Sequence, residues 1–178
     1  MPNKPSFLKF IMRLCGYDIE KAAKLLITFD GLSPEKKDEW QYNQKWKIFN
    51  YHINNNEFYK TKIKNHPPKI WEDVPIMRKE DYQQSFNKML SNGYTKNNIY
   101  LANTSGSSGV PFFFAKNKFA HSITWALTES RYGWYKVGLN SQQARYFGRP
   151  LENTSKYFEI LKDLLLKRKT MLVFDLSD

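Results

Sequence analysis

Apolar positions along the chain recur first at helical and later at strand spacing. In residues 6–29, Leu8, Ile11, Met12 and Leu14, then Ala22, Leu25, Leu26 and Phe29, form the apolar faces of one or two short helices closed by Gly31. Ser33, Pro34 and Glu35 form a helix start. The serine caps exposed N–H groups, proline fits the first turn, and the acid sits at the positive end of the dipole. Tyr42, Trp46, Phe49 and Ile53 continue that helix as one stripe, which Asn54–Asn56 break before a short helix over 57–63. Residues 66–82 begin extended, because a residue before proline avoids the helical region. A further helix is predicted from Lys79 or Asp81 to Leu90.

The period then changes. Ile99 and Leu101 alternate within 98–105, and the aromatic run 111–115 follows a turn, so both segments read as strands. Asn117 caps a helix that runs to about Val137. Phe119, Ile123, Ala126, Leu127, Ser130, Trp134 and Val137 lie along one side, and Gly138 stands where a C-terminal glycine belongs. Residues 144–148 predict a short strand. Residues 155–169 predict a helix with Phe158, Leu161, Leu164 and Leu165 inward, and 170–176 predict a last strand. The expectation is an α/β fold, with a mainly helical region over 1–97 and an α/β segment over 98–178. A strand as apolar as 171–174 wants neighbours on both sides. The segment therefore reads as cut off mid-domain, the front part of a larger one.

A length of 178 residues suits one domain with a real core. Aromatic residues make up 16% of the chain, and so much ring area must be buried in the chain or against a partner. The net charge of +11 draws a protein toward polyanions: nucleic acid, anionic membrane or phosphorylated small molecules. The basic residues are scattered, with only short clusters at 9–13 and 167–169, as on Lys-rich solvated faces. Cys15 is the sole cysteine, which excludes an internal disulfide, and its apolar surroundings predict a buried thiol. His52, His66 and His121 match no ligand spacing, so no metal is expected. No apolar run approaches the roughly 18 residues of a membrane span. The start of the chain is too charged for a signal peptide. A cytoplasmic location is expected.

The stretch Asn103–Asn117, NTSGSSGVPFFFAKN, carries the candidate chemistry. Thr104, Ser105, Ser107 and Ser108 supply hydroxyls, while Gly106 and Gly109 let the backbone approach a ligand closely. Backbone N–H groups in such a turn form an anion site to which hydroxyls add donors, and Lys116 and Lys118 offer nearby positive charge. The spacing is neither that of a Walker A loop nor the Gly-x-Gly-x-x-Gly of a dinucleotide fold. A plain flexible connection fits the same string.

Residues 104–109 with Pro111 resemble the phosphate loop of adenylate-forming enzymes, the acyl-CoA ligase superfamily. Upstream, Val74, Pro75, Ile76, Lys79, Glu80 and Asp81 resemble the segment preceding that loop in the phenylacetate–CoA ligase-like branch. Downstream, Trp125, Arg131, Gly133 and Trp134, then 145–148 and 174–178, resemble members associated with capsular polysaccharide biosynthesis. The likeness spans about residues 40–178. It implies an ATP- and Mg2+-dependent reaction in which a carboxylate attacks the α-phosphate and the acyl group then passes to a thiol such as CoA. In that scheme Thr104, Ser105, Gly106, Ser107, Ser108 and Gly109 contact nucleotide phosphates. Phe112 stands where the superfamily often has lysine, and Lys116 is the substitute candidate. The family's ribose-binding acid, hinge and catalytic lysine would lie beyond Asp178, so no catalytic residue is assigned and little or no activity is expected of this polypeptide alone. Two other readings compete: a basic module contacting nucleic acid or an anionic surface through its aromatics, and a small complete domain binding a phosphorylated ligand through 104–109.

Overall fold

A computed structural model describes residues 7–63, 68–82, 85–104, 112–139, 141–147, 160–161, 163–164 and 167–172. The chain divides into two compact units, residues 1–24 with 122–178 and residues 25–121. Helices and 3-10 turns occupy the described residues before 98, and small sheets alternate with helices after it. Mixed helix and sheet is the architecture.

Helices α1 (Phe7–Leu14) and α2 (Ile19–Asp30) are joined where Gly16 takes a left-handed φ of 87°. Tyr17 N–H donates to Met12 C=O and Gly16 N–H to Arg13 C=O, the paired bonds of a Schellman cap. Cys15 lies at this helix end and is exposed, not buried as its neighbours in sequence implied. The chain leaves α1 there, so the thiol follows the turn outward. Helix α3 (Pro34–Asn55) starts as expected: Ser33 accepts from Lys36 N–H at 3.4 Å. It ends at Asn56, and α4 (Glu57–Ile63) follows at once, because Asn56 caps it by accepting from Tyr59 N–H at 2.9 Å.

The stripe of α3 is a ring cluster. Trp46 meets Phe49 and Trp71 edge to face, and Phe49 meets Tyr59 and Trp71 in the same way. Such pairs contribute about 0.5–1.5 kcal/mol beyond the area they bury. Trp71 arrives on a 3-10 turn, Trp71–Asp73, that the sequence pattern left extended. The single helix expected over 79–90 is instead two 3-10 turns, Lys79–Tyr82 and Phe86–Met89. Asp81 ties the first down, accepting from Arg78 N–H at 2.8 Å and Lys62 Nζ at 2.7 Å. A side-chain acceptor competing for local N–H groups favours a tight turn over a continuing helix.

Strands β1 (Ile99–Asn103) and β2 (Phe113–Asn117) form an antiparallel hairpin with Leu101 opposite Ala115. Asn117 accepts from Ala120 N–H at 2.7 Å and opens α5 (Lys118–Trp134). That helix stops short of Gly138. Lys136 takes the left-handed φ of 57°, and Val137 N–H donates to Tyr132 C=O, a second Schellman cap with lysine in glycine's place.

In the unit of residues 1–24 with 122–178, Leu8 and Leu139 form a small core against Met12, Trp125 and Tyr132. Lys9 pairs with Glu129 there at 2.7 Å. Trp134, placed on the inward side by its spacing, is 74% exposed, because the helix ends beneath it. Strands β3 (Gln143–Phe147) and β4 (Arg168–Leu172) pair in parallel, Arg145 opposite Thr170. Of the helix predicted between them, residues 160, 161, 163 and 164 are described and helical. Leu161 and Leu164 face outward there, at 52% and 75% exposure, against expectation. Phe158 and Leu165 lie outside the described residues. No helix among the described residues is long and apolar enough to cross a membrane.

Candidate phosphate-loop site

The two strands of the β1–β2 hairpin flank the Ser/Gly segment, and its first residue closes the ladder. Thr104 N–H donates to Phe112 C=O at 2.9 Å, and Phe112 N–H donates back to the Thr104 hydroxyl at 3.1 Å. Thr104 and Phe112 are therefore paired one ladder step beyond the strands. Ser105, Gly106, Ser107, Ser108 and Gly109 themselves lie outside the described residues. A hydroxyl holds one proton and two lone pairs. The contact with Phe112 uses acceptor capacity of Thr104 and leaves its proton able to serve a phosphate oxygen.

Register decides which of the three consecutive phenylalanines support this end. Alternation places Phe112, Phe114 and Lys116 on one face, opposite Thr104, Ala102 and Tyr100, and turns Phe113 out to 50% exposure. The Tyr82 ring packs edge-on against Phe112 at 5.5 Å between centroids, and Phe58 meets Tyr82 at 6.0 Å. A continuous row of rings thus joins α4, the Lys79–Tyr82 turn and the base of the loop. Burial, with a smaller contribution from the Asp81 charge, pushes the Tyr82 hydroxyl above its ordinary range, so it stays neutral. This support was not read from the sequence; its only trace was an aromatic just after Asp81.

Lys116 stands four residues along β2 from Phe112, about 13 Å at strand rise. Its ammonium lies over the Phe114 ring, 5.9 Å from the centroid. The phosphate role given to it rests on the sequence alone. Asp81, matched to the family's lead-in, is held below the usual carboxylate range by the Lys62 bond and then by Arg78 N–H. Its place is at a turn, one residue before the Tyr82 ring.

A second cluster in the same unit was not foreseen. Half-buried His52 shares a 3.2 Å contact between Nδ1 and the Ser91 hydroxyl, and Asn56 donates to that hydroxyl at 3.2 Å and to Met89 C=O at 2.8 Å. These bonds fasten residues 89–91 onto the end of α3. Burial holds the His52 imidazole below the ordinary histidine range. The His121 ring stacks on Tyr100 at 3.6 Å between centroids and 11° between planes. His66 lies outside the described residues. Among the described residues, no group of three or more His, Cys, Asp or Glu gathers to hold a metal ion.

Comparison with protein-family models, with curated proteins and with solved structures returns no match.

Proposed function

We propose that residues 104–109 grip the phosphates of a nucleotide, as the corresponding loop does in adenylate-forming enzymes of the phenylacetate–CoA ligase-like branch, in a protein of capsular or surface polysaccharide assembly. The observation that carries this reading is the Thr104–Phe112 pair, whose hydrogen bonds extend the β1–β2 ladder to the residues that flank 105–111. A phosphate has diffuse charge on several oxygens, and a loop of small donors between paired ends meets it without a folded pocket for each atom. The family's chemistry would use ATP with Mg2+ and a carboxylate, with CoA or another nucleophile as acceptor. In the chain itself, Thr104, Ser105, Ser107 and Ser108 would donate hydroxyls, and Gly106 and Gly109 would let backbone N–H groups approach. The role assigned is binding; no described residue is given a step in acyl transfer.

Packing also weighs between this reading and a nucleic-acid module. Trp46, Phe49 and Trp71 are engaged with one another, which weighs against their stacking on bases, while Trp134 and Tyr135 stand exposed. The test is titration with ATP and with pyrophosphate, followed by calorimetry. Ser105→Ala with Ser107→Ala should weaken binding by about tenfold or more, since each lost bond is to a charged group. Wild-type protein that ignores both ligands, or a double variant that binds them equally well, ends the proposal. Tighter, salt-sensitive binding to single-stranded DNA would favour the nucleic-acid reading instead.

A further inference from the structure

Helix α1 is apolar on two sides, and among the described residues only one of them is covered. Leu8 is buried in the core with Leu139, and Met12 packs beside it. Phe7, Phe10 and Leu14 follow one another at spacings of three and four, so they share the other side. There they stand 68%, 58% and 74% exposed. Three large apolar side chains in line, on one helix, are more than the single exposed residues that any surface carries. Exposed Arg13 lies one position from Leu14 and lines a shallow recess with Phe10 and Lys9.

We propose that this outer side of α1 seats on an anionic lipid bilayer, as a short in-plane helix. Charge complementarity names the occupant. Residues 1–17 hold Lys4, Lys9 and Arg13 and no acid, within a chain of net charge +11. Lys9 is paired with Glu129 at 2.7 Å, which leaves Arg13 on the helix and Lys4 ahead of it as the basic residues for an anionic surface. Basic residues beside an apolar stripe of Phe and Leu are the pattern of helices that lie in the headgroup region. A second copy paired in parallel along this stripe would bring Arg13 against Arg13, which like charges oppose. Acids also border the recess: Asp18 and Glu20 line it, with Asp18 accepting from Lys21 N–H at 2.9 Å at the start of α2. With only three apolar side chains in this stripe, the attachment is reversible and sensitive to salt.

The experiment is sedimentation of the full chain with vesicles of phosphatidylcholine alone and of phosphatidylcholine with phosphatidylserine. Binding is expected only with phosphatidylserine present, and it should fall in high salt. Phe10→Ser with Leu14→Ser should lower the partition coefficient by about tenfold or more. Arg13→Glu should lower it by at least about fivefold, the loss expected of one basic residue at such a surface. All three positions are exposed, so unchanged thermal melts should accompany both effects; Ile27→Ser, another exposed apolar residue, should change neither. Absence of vesicle binding overturns the proposal, as does binding that the α1 variants leave intact. A concentration-dependent dimer abolished by the same variants also overturns it, by assigning the stripe to a second copy.

Discussion

Within residues 25–121, Trp46, Phe49, Tyr59 and Trp71 meet edge to face, and Phe49 keeps only 4% of its surface exposed. Within residues 1–24 and 122–178, Leu8 and Leu139 are buried, yet Trp134 and Tyr135 at the end of α5 stand 74% and 80% exposed. Both α3 and α5 carry their rings at helical spacing. They differ in what returns to cover them. Tyr59 on α4 and Trp71 on its 3-10 turn cover the stripe of α3, while α5 ends at Trp134 before such a cover arises among the described residues. Ring content alone therefore measures neither stability nor binding surface; it has to be read together with the segment that closes over it.

Mutations can break this contrast. Phe49→Ala should cost the most, about 3–5 kcal/mol of unfolding free energy in urea melts, because it removes a buried ring bordered by other rings. Asn56→Ala should follow, at about 1–3 kcal/mol, since Met89 C=O and Tyr59 N–H each lose a partner. Faster hydrogen exchange at the Tyr59 amide would identify the lost cap. The two Schellman ends give a reciprocal pair: Gly16→Ala should cost about 1 kcal/mol, and Lys136→Gly should gain up to about the same, because glycine has no Cβ to crowd the backbone at a left-handed φ.

A smaller effect depends on pH. Folded His52 gives up its proton below the ordinary value of 6.5, so unfolded chains bind more protons between the two values. Its contribution is therefore complete above pH 6.5 and is lost as pH falls through the folded value. Urea midpoints at pH 5 and pH 7.5 should differ less in His52→Gln than in wild type. Trp134→Ala should change stability least, within about 0.5 kcal/mol. A loss as large as that of Phe49→Ala would show that exposure is not what separates the two units.

Much of the candidate site was legible as chemistry and little of it as support. Hydroxyls and glycines between two apolar runs singled out the candidate stretch, and the alternation of Ile99 and Leu101 identified one flanking strand. The second strand, expected over 111–115, occupies Phe113–Asn117, so Lys116 lies inside the ladder, opposite Tyr100. Tyr82 could not be picked out, because its contact with Phe112 spans residues that no local period links. Cys15 and Leu164 were misjudged for a related reason: an apolar neighbourhood in sequence says nothing about which direction the chain leaves it.

The sequence by itself determined what depends on contacts within about four residues. Ser33, Pro34 and Glu35 started α3, Asn117 started α5, and the spacing of Trp46 and Phe49 set one face of a helix. Those interactions are present in the local chain whatever surrounds it. Tertiary structure decided the rest: the cover over Phe49 but not Trp134, the outward turn of Phe113 between two inward phenylalanines, the bonds of His52 and Asn56 to Ser91, and the pairing of Thr104 with Phe112. Each of these joins segments whose meeting depends on register and chain reversal, and local periodicity does not specify either.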